Sequence, residues 1–158
     1  MRIYLLRHGD ASSHSRYSDE ERPLTELGNR QAALIGTLLQ RLPGGIDVIL
    51  SSPLKRAQET AALAGSHVKN HQVILCDFLL NGADPQQLFD QLDELHASSV
   101  LLVGHEPLMS ELISLLISGK KTAEVEMKKC SLALVDISTP ILQGAGVLKV
   151  LIPVELFT

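Results

Sequence analysis

The sequence predicts an α/β fold, a three-layer α/β/α sandwich on a mostly parallel, mixed sheet, with its 158 residues in one domain spanning 1–158. Three observations predict it. Short apolar runs alternate with longer segments whose apolar residues recur every three or four positions, the order of a parallel sheet covered by helices. Helical segments open on N-terminal signals, Ser52-Pro53 and Asp84-Pro85 each pairing a capping residue with proline at the first helical position. After Gly119 the period changes to two strand-like runs, which fit a hairpin and make the sheet mixed.

In chain order, Arg2–Leu6 reads as a buried strand ending at Arg7, and the polar stretch 8–23 as a long loop. Loops of that length are usually functional or disordered. Thr25 and Glu26 open a helix carrying Leu34, Ile35, Leu38, Leu39 and Leu42, and Pro43-Gly44-Gly45 stops it. Asp47–Ser51 is a second strand, and Ser52-Pro53 begins a helix to about Ser66. Val73–Leu75 is a third strand, and Asp84-Pro85 begins a helix to about His96. Ser99–Val103 is a fourth strand, and Glu106-Pro107 opens a helix ending at Gly119. Ser131–Ile137 and Val147–Ile152 are the last two strands, joined through Pro140 and Gly144-Ala145-Gly146.

Composition excludes several classes. The apolar fraction is 45% and the charged fraction 20%, an ordinary globular mixture. With three Phe, two Tyr and no Trp there are few platforms for stacking bases. A net charge of −4 opposes a surface that tracks a phosphate backbone, so no nucleic-acid partner is expected. No run approaches the ~18 apolar residues of a membrane span, and the N-terminal apolar stretch is too short for a secretory signal. Cys76 and Cys130 lack metal-type spacing and read as reduced, which points to the cytoplasm. All seven arginines lie at or before Arg56. Guanidinium is the planar, always-charged group that grips phosphate bidentately, so their placement carries information.

Three polar groups follow three strands: Arg7-His8-Gly9, Ser51-Ser52-Pro53 with Arg56, and Gly104-His105-Glu106-Pro107. Ligands of parallel sheets bind beyond the strands' carboxyl ends. The sheet would therefore bring two histidines and two arginines, over 100 residues apart in sequence, into one cleft. Taken singly, each has an ordinary reading. Arg56 could pair with Glu59 or Glu20 on the surface, and Arg22 with Asp19 or Glu26, for roughly 0–1 kcal/mol. His105 at a helix N-terminus is poorly placed to hold a proton unless an anion sits there.

Together, the ordered motifs resemble the histidine phosphatase superfamily, whose fold is phosphoglycerate mutase-like. Arg7-His8-Gly9 resembles its nucleophile motif, and Arg22-Pro23-Leu24-Thr25-Glu26-Leu27-Gly28 the segment after its first loop. Ser51–Ala61, with Arg56, resembles its second-arginine motif, and Gly104-His105 its second-histidine motif. The Arg-His-Gly-Asp-Ala start and the short chain are most similar to the SixA-type phosphohistidine phosphatases. The resemblance implies catalytic roles for His8, Arg7, Arg56 and His105, and substrate binding by Arg22, Gly9 and Ser52. It also implies no metal and no cofactor. Phosphoryl transfer rests on positioning and electrostatic stabilisation, which arginines supply.

The implied activity is hydrolysis of phosphohistidine on a partner protein, such as a histidine phosphotransfer domain of two-component signalling, through a phospho-His8 intermediate. The alternatives are a broad phosphomonoesterase or small mutase of the same superfamily, and a phosphate-dependent binding module without turnover. A monomer is expected. Many superfamily members carry a glutamate general acid after the third strand; here the nearest candidate is Asp77, with Asp84 committed to capping. A missing acid suits a labile P–N bond, because imidazole leaves more readily than an alkoxide. The short stretches around the third helix leave no lid, so the cleft should be shallow and open.

Other signals carry no site. Ser118-Gly119-Lys120-Lys121-Thr122 lacks the first glycine of a P-loop, with Ser114 in its place, and ends a helix. His67 and His71 straddle a helix end without acidic or Cys partners. His14 and His96 have no evident partner, and Lys128-Lys129 reads as a solvated strand edge.

Overall fold

The apolar runs pair into one sheet of six strands: β1 (Arg2–Arg7), β2 (Val48–Ser51), β3 (Val73–Leu75), β4 (Ser99–Gly104), β5 (Leu132–Asp136) and β6 (Val147–Ile152). Their spatial order is β3-β2-β4-β1-β5-β6, and the first four are mutually parallel. The computed structural model describes residues 1–69 and 72–157. His71, half of the His67/His71 pair, lies outside the described residues. β5 runs antiparallel to both β1 and β6, so the sheet is mixed as predicted.

Alternation along β1 divides the core in two. Ile3 and Leu5 enter one apolar cluster with β4's Val100 and Leu102, and Tyr4 and Leu6 enter the other with Leu101 and Val103. The first cluster is covered by α3 (Pro85–Glu94) and α4 (Leu108–Ser118), through Leu88, Phe89, Leu92, Leu112 and Ile113. The second is covered by α1 (Glu26–Gln40) and α2 (Lys55–Gly65), through Ala32, Ile35, Leu39, Ala57, Ala61 and Ala64. Helices on both faces complete the three layers. Among the described residues, no helix is long and apolar enough to cross a membrane.

Most element boundaries follow their local signals. Thr25 caps α1 by accepting the Gly28 N–H, and Gly44 and Gly45 beyond its end adopt φ of 86° and 62°. Asp84 caps α3 at Gln86 N, with Pro85 as its first residue. Two helix starts differ from expectation. α2 begins at Lys55, because Ser52 is still held by the sheet, its N–H donating to Val103 O at 2.9 Å. Leu54 therefore takes the cap position without a side-chain bond. α4 begins at Leu108, after Pro107, and the Glu106 carboxylate accepts from Ser110 N and Ser110 Oγ.

Strand register sets the site. Arg7 lies opposite Gly104, and Ser51 opposite Val103. The ladder continues one bond past the strands, with His8 N donating to Gly104 O at 3.0 Å. Residues 7–8, 51–52 and 104–105 thus end at one level, on three adjacent strands.

Candidate active site

His8 and His105 meet at that level, with ring centroids 5.0 Å apart and planes inclined by 54°. Both are buried, at 8% and 3% exposure. His8 Nδ1 lies 2.7 Å from Gly9 O. A carbonyl only accepts, so Nδ1 carries the proton and Nε2 is left with its lone pair. His105 is anchored through the other nitrogen, Nε2, which lies 2.7 Å from Ser52 Oγ.

The backbone around His8 is fixed by close approach. Gly9 N donates to Thr60 Oγ1 at 3.1 Å, and Thr60 Oγ1 donates to Arg56 O at 2.7 Å, tying the loop after β1 to α2. A Cβ on Gly9 would lie 2.9 Å from Gly28 O, and one on Gly28 would lie 2.0 Å from Asp10 O. Glycine at both positions lets α1 seat against this loop. Asp10 is held from Gln31, Thr25 and Lys129, the last by an ion pair. Desolvation raises the Asp10 carboxyl, but the bonds from Lys129 and Thr25 outweigh it, and its pKa is lowered. Lys129 is exposed, as a solvated lysine is, but it stands in a turn before β5 and its ammonium is paired with this loop.

Three arginines surround the histidines. Arg7 NH1 donates to Met127 O at 2.7 Å. Arg56, 6% exposed, donates from NH1 to Asp19 O at 2.6 Å and from NH2 to Asp19 Oδ2 at 3.2 Å. Arg22 donates to Ser12 O at 2.6 Å and to Asp19 Oδ1 at 3.1 Å, and lies 2.9 Å from His14 Nε2. One carboxylate thus bridges two guanidiniums and fastens the long loop to α2. Burial alone would raise Asp19, but the hydrogen bonds from Arg22 and Arg56 lower it. His14, without an evident partner in sequence, belongs to this cluster.

Burial pushes the His8 imidazole down to about 4, opposed by the Gly9 bond and assisted by the charges of Arg56, Arg7 and Arg22. Burial likewise pushes His105 down to about 3, with His8, Arg56 and Arg7 adding to the effect and Asp19 opposing it. Both rings are neutral in the folded protein near pH 7, whereas the unfolded chain protonates them near 6.5. Below that value the unfolded state binds more protons, so stability is lost as pH falls from 6.5 toward the folded values. Each ring contributes up to about 1.4 kcal/mol per pH unit. Denaturant unfolding should therefore show a loss on the order of a few kcal/mol between pH 7 and pH 5; unchanged stability across that window would contradict neutral histidines.

Four buried side-chain polar atoms have no hydrogen-bond partner among the described residues: Arg7 Nε, Arg56 Nε, His105 Nδ1 and Ser131 Oγ. Three belong to this site. Leaving a buried polar group unpaired costs roughly 1–3 kcal/mol, so three such atoms on the residues of one histidine–arginine cluster set it apart from the rest of the described core.

Asp77 lies elsewhere. It is exposed, on a single 3₁₀ turn (Asp77–Leu79), and among the described residues no hydrogen bond or ion pair joins it to either histidine or the arginines. Open grooves border the site. One of about 740 Å³ includes Arg7, Glu106, Ser110, Glu124 and Glu126; another of about 580 Å³ includes Glu20, Pro53, Leu54 and Gln58. Sequence reasoning missed Met127, Thr60 and the bridging role of Asp19. Thr60 lies within the second-arginine motif; Met127 contributes only a carbonyl, which no residue type signals.

The fold and the paired histidines with their arginines define a phosphoryl-transfer class, and the comparisons agree. The model of the histidine phosphatase superfamily (branch 1) matches residues 3–80, and the chain belongs to that superfamily. It is 30% identical over 125 residues to an uncharacterised protein of Mycobacterium tuberculosis, covering 77% of each chain. It is also 28% identical over 124 residues to the phosphohistidine phosphatase SixA of Escherichia coli K12, covering 76% of each. A solved structure of the protein histidine phosphatase SixA complexed with tungstate superposes with a TM-score of 0.88, at 25% identity over the whole of both chains.

Proposed function

We propose that this protein hydrolyses phosphohistidine on a partner protein through a phospho-His8 intermediate. The observation that carries the reading is the pairing of a neutral His8, its proton held on Nδ1 by Gly9 O, with unpartnered donors on Arg7, Arg56 and His105. Nε2 is then the nucleophile, and the donors meet the equatorial oxygens of the transferring group. In the first step the Nε2–P bond forms as the substrate P–N bond breaks, and the departing imidazole nitrogen takes up a proton from solvent water. In the second, water attacks phosphorus, the Nε2–P bond breaks, and inorganic phosphate leaves with His8 neutral again. Arg7 and Arg56 act as charge-assisted donors throughout. Arg22 adds its charge from the loop, joined to Arg56 through Asp19.

Two features favour a protein-borne phosphohistidine over a small phosphate ester. Asp77 is exposed and unconnected to the histidines, and the carboxylates nearer them, Asp10 and Asp19, are engaged by Thr25 and Lys129 and by Arg22 and Arg56, so none of the three is poised to protonate an alkoxide. The segments flanking α3 are a 3₁₀ turn and a short link, residues 95–98, so neither carries a long insertion of the kind that closes over a small metabolite. An open cleft accepts a side chain presented on another surface. The similarity to SixA in sequence and structure supports the same substrate class. Cys76 and Cys130 are buried and unpaired, in keeping with a reducing cytoplasm.

A substrate panel tests the reading. Turnover should be fast on a phosphohistidine-bearing phosphotransfer domain and slow on small phosphate monoesters, with Asp77→Asn leaving the former little changed. Fast monoester hydrolysis with weak phosphohistidine activity would make it a phosphomonoesterase. Vanadate binding without turnover on any phosphoprotein would make it a binding module.

A further inference from the structure

We propose that Ser52 is a positioning residue whose hydroxyl holds His105 as the Nδ1–H tautomer, so that His105 meets a phosphoryl oxygen as a hydrogen-bond donor. The inference rests on the phosphoryl-transfer reading for its purpose, but its structural content does not.

Hydrogen-bond accounting around Ser52 carries it. Ser52 is fully buried, and its Oγ has two neighbours: His105 Nε2 at 2.7 Å and Leu54 N at 3.4 Å. Leu54 N–H can only donate, so it uses a lone pair of Oγ. The adjacent Ser51 hydroxyl is turned away, donating to Ser52 O at 2.9 Å. If His105 carried its proton on Nε2, Oγ would accept twice and the Ser52 hydroxyl proton would be buried without an acceptor. His105 Nδ1 would then present a bare lone pair where an anion is to bind. With Oγ–H donating to Nε2, every Ser52 group is used. The single unsatisfied atom is then Nδ1–H, a donor like the unpartnered Arg7 Nε and Arg56 Nε.

The two histidines then share one tautomer and use it in opposite ways. Gly9 O takes the Nδ1–H of His8 and exposes a lone pair. Ser52 Oγ–H donates to the Nε2 lone pair of His105 and leaves a buried N–H at Nδ1 without a protein partner. Swapping either partner's chemistry would turn a nucleophile into a donor or a donor into a repelling lone pair.

Nitrogen-15 NMR of the ring nitrogens reads the tautomer directly, with His105→Gln to assign the signals. Wild-type His105 should show a protonated Nδ1 and an unprotonated Nε2 at pH 7. Ser52→Ala should convert this to exchange between tautomers and lower kcat by about 10- to 100-fold, the range for lost outer-shell partners. KM should change less, and Ser52→Thr should restore both signals and rate. A wild-type spectrum with the proton on Nε2 would overturn the proposal, as would a Ser52→Ala spectrum identical to wild type. The wild-type spectrum decides even if the variants fold poorly. It is also independent of which phosphorylated substrate is turned over, so a failed substrate panel and a failed tautomer assignment are distinguishable.

Discussion

His8→Ala should abolish both turnover and labelling: no acid-labile phosphate should appear on the protein, and kcat should fall by ~10³-fold or more, the scale of losing a nucleophile. The expectation follows from geometry. The His8 ring lies 5.0 Å from that of His105, within the charges of Arg7, Arg22 and Arg56, and its tautomer is fixed by Gly9 O at 2.7 Å. Its pKa near 4 keeps that lone pair available across neutral pH. The rate should thus be level on the acid side until pH nears that value in the free enzyme. Removing a buried imidazole also removes a group that must stay neutral, so the variant should fold, and a thermal melt in parallel would separate lost chemistry from lost structure. A His8→Ala protein keeping a hundredth of wild-type activity would exclude His8 as the nucleophile. Trapped phosphate on His8 in the wild type, measured with phosphohistidine protein, is the positive counterpart.

Much of this site was legible before any coordinates. A residue that ends a strand of a parallel sheet lies at the carboxyl edge whatever its neighbours do, so Arg7-His8, Ser51-Ser52 and Gly104-His105 could be placed together by topology alone. Capping chemistry is equally local, which is why Thr25 and Asp84 mark their helices correctly. What failed was local chemistry overruled by tertiary contacts. Ser52-Pro53 carries a helix-start signal, yet the Ser52 backbone stays on the β ladder and its hydroxyl goes to a histidine 53 positions away. Arg56 was expected to look for Glu59 or Glu20 if it had no function, and instead found Asp19, while Glu59 accepts from Leu24 N. Lys129 is solvated as its sequence suggests, but it also reaches Asp10, 119 residues earlier. In each case the partner sits on another element, and spacing along the chain holds no record of it. The Met127 carbonyl is the limiting case, since any residue could supply it.

Arg56→Lys should lower kcat/KM by roughly 10²–10³-fold, the range seen when one preorganised donor to a developing anion is removed. The buried guanidinium has two jobs on two edges. NH1 and NH2 hold the Asp19 backbone and carboxylate, and the buried Nε has no protein partner, which the proposed reading gives to the phosphoryl group. Lysine keeps the charge but has one compact ammonium, which cannot span both edges at once. If it turns to Asp19, the phosphoryl group loses a donor; if it turns to the cleft, the loop loses its tie to α2. In the second case Arg22 keeps its own bonds to Asp19 Oδ1 at 3.1 Å and to Ser12 O, but is no longer joined through Asp19 to α2. Asp19→Ala separates the two. It removes the carboxylate but leaves the guanidinium and the residue-19 carbonyl, so its loss should be smaller than that of Arg56→Lys and should fall mainly on KM. Measured kcat and KM for both variants, on a phosphohistidine protein, check the assignment. An Arg56→Lys enzyme within threefold of wild type would mean that charge alone suffices and that the fork of the guanidinium is dispensable. The arrangement of donors argues otherwise: a single carboxylate has been placed to aim two arginines, an expense of loop structure that a point charge would not require.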